Sequence, residues 1–358
     1  MTQLGRILTH FREQSVFCTA YGSPFTGELV THMADDIEAR GPTHALVGAW
    51  PTNPRSGAIA LRLAGALHDA VLTNRDLQLA SLYPAQTRNW RMHDVWPVAR
   101  AFLEREHAWV GDFIRSPPQT NETRRAIALL AGFLTFANEW RGPIDTLELG
   151  ASAGLNLNWD RFFYRTATWS WGGESSVTID TQWSGPAPPN VQPHIRSRAA
   201  CDQNPLDIRD AAQRLRLKSY IWPDQPDRLA RFDGAVELAL AHNTHVDCAD
   251  AGAWLTQKLA SRASDAATLI YHSIFLQYPP RETREQIIDA IRDAGAQANA
   301  SAPVVWLRLE PEPLTDGVHD SPRFIVDLHV WPSGDRRILA FTDGHVRSVE
   351  MQAQPGAV

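Results

Sequence analysis

One stretch near the middle of the chain constrains its fold more than any other: Ile144-Asp145-Thr146-Leu147-Glu148-Leu149-Gly150-Ala151-Ser152-Ala153-Gly154-Leu155-Asn156-Leu157. Its first part is an apolar run fit for a buried strand and closes on Glu148 and Leu149. Gly150 and Gly154 flank a serine among alanines, and glycine admits the left-handed backbone of a tight turn. The pattern predicts a strand over residues 144–149, a turn, and a helix beginning at Ala153. Strand–turn–helix units of this kind build α/β folds, in which crossover helices return the chain to a parallel neighbour.

Upstream the period is helical. Residues 4–16, 27–39, 56–73, 96–113 and 121–140 carry apolar side chains at three-to-four spacing. They are broken at Gly22-Ser23-Pro24, Gly41-Pro42, between Pro51 and Pro54, and at Pro117-Pro118, so residues 1–140 are expected to form a helical N-terminal cap or substrate domain. Thr120 or Asn121 is expected to cap its last helix. From 141 to 358 short apolar runs alternate with helical ones. Strands are expected at 144–149, 194–200, 245–248, 268–275, 303–309, 324–331 and 337–342, the last two joined through Pro332-Ser333-Gly334-Asp335. The expected sheet is seven-stranded and mostly parallel with an antiparallel edge. Residues 160–193, rich in Trp, Gly, Ser, Thr and Pro, interrupt the alternation and read as a β-rich insertion.

The 358 residues are enough for both domains. No apolar run reaches the ~18 residues of a membrane span, and residues 1–14 lack the apolar centre of a secretory signal, so a cytoplasmic protein without a membrane partner is expected. Cys18, Cys201 and Cys248 have no zinc-type spacing, and an odd number argues against a disulfide framework. A net charge of -6 leaves no basic footprint for nucleic acid, so the expected partner is a small-molecule substrate. His242, His245, Asp247 and Cys248 are metal-ligand types, but side chains alternate between the faces of a strand, so no metal is expected.

The central stretch supports two chemistries. Taken from the acid it is E-x-G-x-S-x-G, a loop that cradles a nucleotide-like cofactor with its backbone and with Glu148. Taken from its centre it is G-x-S-x-G, a nucleophile elbow in which Ser152 would need a later histidine (His319, His329 or His345) and an acid (Asp316 or Asp343). An elbow requires sheet strands before it, and the preceding 140 residues read as helical. The cofactor reading also uses Glu148, which the elbow leaves without a role.

Further segments carry a family resemblance. Thr120-Asn121-Glu122 ahead of an apolar helix, the run Glu148 to Leu157, Asp202-x-Asn204-Pro205-Leu206-Asp207, Trp222-Pro223-Asp224-Gln225, and His272-Ser273 with Gln277-Tyr278 together resemble a bacterial domain of unknown function, DUF2332. The likeness extends from about Gly22 to the C-terminal hairpin. That family brings no activity with it; what the resemblance implies is a Rossmann-like fold similar to class I S-adenosylmethionine (SAM)-dependent methyltransferases. It makes Glu148, Gly150, Ala151, Ser152 and Gly154 the cofactor loop, with SAM as the cofactor. Asp202, or else Glu174, would bind the ribose hydroxyls, and Asp250 with Ala251 would meet the adenine edge. His272 is the candidate base and Tyr278 a candidate for orienting the substrate, while Asn121, Glu122, Trp222 and Gln225 are expected to line the substrate side. The function implied is methyl transfer to a small or medium-sized substrate. The alternatives are a non-catalytic ligand-binding or regulatory protein on the same scaffold, and a serine hydrolase using Ser152.

Overall fold

The computed structural model describes residues 2–87, 89–119, 121–315 and 323–353. Its helices are α1 (Gln3–Ala20), α2 (Pro24–Glu38), α3 (Pro42–Val47), α4 (Ile59–Leu72), α5 (Leu77–Leu82), α6 (Met92–Arg105), α7 (His107–Phe113), α8 (Arg125–Glu139), α9 (Ala211–Ser219), α10 (Pro226–Ala241), α11 (Ala251–Ala260), α12 (Arg281–Ala296) and α13 (Glu312–Thr315). Its strands are β1 (Ile144–Leu149), β2 (Phe163–Arg165), β3 (Ser170–Trp171), β4 (Thr178–Asp180), β5 (Gln182–Ser184), β6 (Ile195–Asp202), β7 (Asp247–Cys248), β8 (Ala267–Ser273), β9 (Val304–Pro311), β10 (Phe324–Trp331), β11 (Asp335–Thr342) and β12 (Ser348–Met351).

The chain forms two compact units, Met1–Thr120 with Asp207–Phe232, and Asn121–Leu206 with Asp233–Val358. The first is helical. Thr2 caps α1 by accepting from Gly5 N, Ser23 precedes Pro24 at the start of α2, and Asp76 caps α5 through Leu79 N at 2.8 Å. Ile7, Phe11, Leu29, Met33, Leu63 and Phe102 meet in its core. The segment 207–232 belongs to this unit by its contacts: Asp224 accepts from Phe25 N at 2.9 Å, and His68 Nδ1 lies 3.1 Å from Ser219 O. The division therefore falls at 120, where the sequence pattern suggested 140, and α8 groups with the sheet. Gly132 explains why, since a Cβ there would come within 2.2 Å of Leu307 Cδ1 on β9; the helix lies hard against the strand.

The second unit holds a nine-stranded sheet in the order β5-β12-β11-β10-β9-β8-β1-β6-β7, and the insertion contributes a small sheet, β3-β2-β4. The sheet is mostly parallel: β7, β6, β1, β8 and β9 run together, while β10, β11 and β12 alternate in direction at one side. Nine strands replace the expected seven because β12 and β5 pair with each other beyond β11. Each is only three or four residues long, too short to show a period-two pattern.

Strand alternation divides the central strands between two faces. Leu147, Ile270 and Trp306, in register across β1, β8 and β9, join a core with Leu255 of α11 and Ile287 and Ile291 of α12. Their neighbours Glu148, Tyr271 and Leu307 point to the other face, where Phe133 of α8 sits edge-on to Tyr271 at 5.1 Å. After β1 the chain passes outward through β6 and β7, then resumes on the far side of β1 with β8. Strand order thus reverses between β1 and β8, and in open parallel sheets ligands bind outside the carboxyl ends at such a crevice.

Candidate functional site at the carboxyl ends of the central strands

Gly150 (φ 68°), Ser152 (φ 56°) and Gly154 (φ 73°) all adopt left-handed backbone, which folds the loop back on itself directly after β1. Neither glycine has room for a side chain, since a Cβ would lie 2.3 Å from the Phe275 ring at Gly150 and 2.7 Å from Val246 Cγ2 at Gly154. The left-handed Ser152 is held by its own amide, which donates to Asp202 Oδ2 at 2.9 Å. Most donors of the loop are spent in the same way. Gly150 N and Ala151 N both donate to Cys201 O, Gly154 N to Ala151 O, and Leu155 N to Asn121 Oδ1 at 3.0 Å.

The helix expected from Ala153 is a 3₁₀ segment, Leu155–Arg161, with a kink at Asn158. Its asparagines are pulled sideways: Asn158 Nδ2 donates to Thr244 Oγ1 at 2.9 Å and Asn156 Nδ2 to Glu122 O at 3.4 Å. Asparagine competes with helical hydrogen bonding in this way. The site therefore keeps few free amides and has no α-helix N-terminus of the kind that builds a phosphate cradle.

What it offers is acceptors. Glu148 is buried, and Tyr271, whose ring packs edge-on against Phe133, donates to its Oε2 at 3.0 Å. Burial pushes its pKa up to about 8 against the opposing pull of the Tyr271 hydrogen bond, and the Asp202 charge adds to the rise. Asp202, at the end of β6, takes Ser152 N on one oxygen and Asn204 N on the other. Glu174 is exposed between β3 and β4, so Asp202 is the acid that ends the neighbouring strand. Asp250 caps α11 through Gly252 N and Ala253 N and accepts from Thr283 at 3.4 Å, with Ala251 buried behind it. Two further acceptors, Ser152 Oγ and Asn156 Oδ1, are buried without a hydrogen-bond partner.

Of the substrate-side candidates, Asn121 and Glu122 lie against this loop through the contacts to Leu155 and Asn156. Trp222 and Gln225 belong to the helical unit, where Gln225 Nε2 donates to Tyr21 O at 3.1 Å. Asn121 caps the 3₁₀ segment rather than α8, which begins at Arg125 without a side-chain cap.

His272 is wholly buried, on the face away from Glu148. Its Nδ1 lies 2.6 Å from Glu310 Oε1 and its Nε2 accepts from Trp306 Nε1 at 3.0 Å. Both ring nitrogens are engaged, so this histidine fastens the β8 turn, where Phe275 N and Leu276 N also donate to Glu310 Oε1. Tyr278 is 73% exposed at the end of that turn. Sequence reasoning missed Tyr271 and Glu310; the β1–β8 register that sets Tyr271 opposite Glu148 is visible only once the strands are paired.

The hydrolase alternative needs a histidine on Ser152, and Ser152 Oγ makes no such bond. His329 faces Asp327 at 3.4 Å, and Asp343 accepts from the backbone of His345. Asp316 and His319, like Thr120, lie outside the described residues. Among the described residues no group of His, Cys, Asp and Glu is arranged to hold a metal ion, and no helix is long and apolar enough to cross a membrane.

The chain is thus a mixed α/β protein whose mostly parallel sheet presents an acceptor-rich carboxyl edge at a reversal of strand order. It belongs to the DUF2332 family, described as an uncharacterized protein conserved in bacteria, which it matches over residues 9–351. No curated protein and no solved structure matches the chain.

Proposed function

We propose that the chain is a SAM-dependent methyltransferase acting on a small or medium-sized substrate. The observation that carries this reading is the imbalance at the carboxyl edge. Most loop amides are spent inside the protein, whereas Asp202, Asp250 and Asn156 Oδ1 are acceptors, the Ser152 hydroxyl is left without a partner, and Glu148 becomes a carboxylate acceptor on losing its proton. A complementary ligand brings donors and positive charge and sets no phosphate on the loop.

SAM has that character, with sulfonium and ammonium cations, ribose hydroxyls and an adenine amino group. The residues fit it. Glu148 would face the cationic methionyl end, Asp202 the ribose and Asp250 the adenine amino group, while Gly150 and Gly154 keep side chains out of the turn. The β7-β6-β1-β8-β9 order, Rossmann-like in its reversal between β1 and β8, supports this placement.

When bound, the cofactor supplies an electrophilic methyl group. The chain supplies position. Asp202 fixes the Ser152 amide, and Tyr271 fixes Glu148 Oε2. With its pKa near 8, Glu148 is neutral in the empty site at pH 7 and releases its proton to solvent as a cation arrives, which strengthens the contact. His272, buried and doubly engaged, acts through Glu310 on the β8 turn rather than on substrate.

Calorimetric titration with SAM and S-adenosylhomocysteine tests the reading; no binding of either at about 1 mM, the level of a −4 kcal/mol interaction, would sink it. The burial of His272 also favours a second reading, a ligand-binding protein with no transfer chemistry. Binding of both compounds with no demethylation of SAM in the presence of any candidate acceptor would select it.

A further inference from the structure

The β7 side of the same sheet carries a second feature that the cofactor reading does not use. Strand β7 has two residues and pairs only with Cys201 and Asp202, so among the described residues the outer edge of β6 from Arg198 to Ala200 has no neighbouring strand. A cavity of about 320 Å³ lies there, lined by residues that include Arg161, Arg198, His242, His245 and Lys258. These side chains, three fixed cations and two imidazoles of which burial and the Arg161 charge keep His242 neutral, come from four separate elements: the 3₁₀ segment, β6, the turn before β7, and α11.

Two of the fixed charges are neutralised locally. Arg198 is paired with Asp160 at 2.5 Å and donates to Leu157 O at 3.0 Å. Lys258 shares Asp247 with His245, at 3.5 and 3.2 Å. Arg161 has no carboxylate partner among the described residues. Its Nη1 rests against the His242 ring, and its Nε is buried with no acceptor at all. A guanidinium left without a counter-charge, with imidazoles beside it, stands out in a chain whose net charge is -6.

We propose that this cavity binds the phosphate group of a small phosphate monoester, with Arg161 as the main counter-ion and Lys258, His242 and His245 as further donors. A tetrahedral dianion accepts hydrogen bonds from several directions at once, as this convergent donor set requires, and a guanidinium meets it with two parallel bonds. The cavity exceeds a bare phosphate and falls in the size range of small-ligand sites, which leaves space for the esterified body.

The test is calorimetric titration of the full chain with glucose 6-phosphate, glucose and inorganic phosphate. The ester is expected to bind and glucose is not. Arg161→Gln is expected to weaken the ester by about 10-fold or more, the loss of a charge-assisted bond. Arg281→Gln, on the exposed face of α12, is expected to leave it unchanged. Thermal unfolding confirms that both variants fold, and S-adenosylhomocysteine titrated into Arg161→Gln separates this site from the carboxyl-edge site. Failure of the ester to bind at about 10 mM, or equal affinity in Arg161→Gln, overturns the proposal. Inorganic phosphate binding as tightly as the ester overturns the assignment to a monoester.

Discussion

Glu148 makes the stability of the sheet unit depend on pH in the reverse of the usual carboxylate sense. In the unfolded chain it ionises near its ordinary value of 4.5, whereas in the folded chain burial holds its proton up to about 8. Between those values the folded state binds the extra proton, so this contribution is fully present below pH 4.5 and is lost as pH rises through 8. The slope is about 1.4 kcal/mol per pH unit and the full effect about 5 kcal/mol. Glu148→Gln keeps an acceptor for Tyr271 but does not titrate. Urea unfolding of both proteins between pH 5 and 8.5, followed by circular dichroism with each transition fitted separately, isolates the effect as the difference between the two curves. The wild type is expected to lose ground steadily against the variant up to pH 8 and then level off. A difference that stays constant from pH 5 to 8 would refute the burial argument, and with it the picture of a neutral acid waiting for a cation.

Other substitutions probe the supports of the same edge. Asp202→Ala removes acceptors for Ser152 N and Asn204 N and is expected to cost about 2–3 kcal/mol in urea unfolding, because both bonds are made to a carboxylate. Gly154→Ala combines a left-handed backbone with a Cβ driven against Val246 and Thr244, so a loss of about 2 kcal/mol and of any S-adenosylhomocysteine binding is expected; unaltered stability would contradict the packing described. His272→Ala leaves Glu310 buried beside an empty space and is expected to cost about 3–5 kcal/mol, measured by the same unfolding assay, with Glu310→Gln partly restoring the double variant.

Legibility in the sequence followed length and burial. Strands β1 and β10 lie where the sequence pattern places them, residue for residue, because six or eight residues with most apolar side chains buried leave a signature long enough to read even with Glu148 or Asp327 inside it. Helices α3 and α5, six residues each, and strands β5 and β12 carry too few residues for any period to emerge. The return of 207–232 to the helical unit depends on a tertiary contact, Asp224 with the start of α2, that no local pattern encodes. At the site, Glu148 and Asp202 were legible as acids ending strands. Tyr271 was not, because it reads as one more core residue until the register sets it against Glu148. The role of His272 was equally hidden, since its partner Glu310 lies on another strand, and only the fold shows that both of its nitrogens are occupied.

The pairing of β5 with β12 has a consequence for the order in which the protein can be made. Residues 182–184 leave the ribosome long before 348–350, yet among the described residues β12 is the one strand against which β5 hydrogen-bonds in the sheet. The insertion must therefore wait, with one segment unpaired, until nearly all the sheet unit has been synthesised. Closing so large a loop late is slow, and an unpaired edge exposed meanwhile is open to wrong partners. The last strand acts as a latch on an element translated more than a hundred residues earlier.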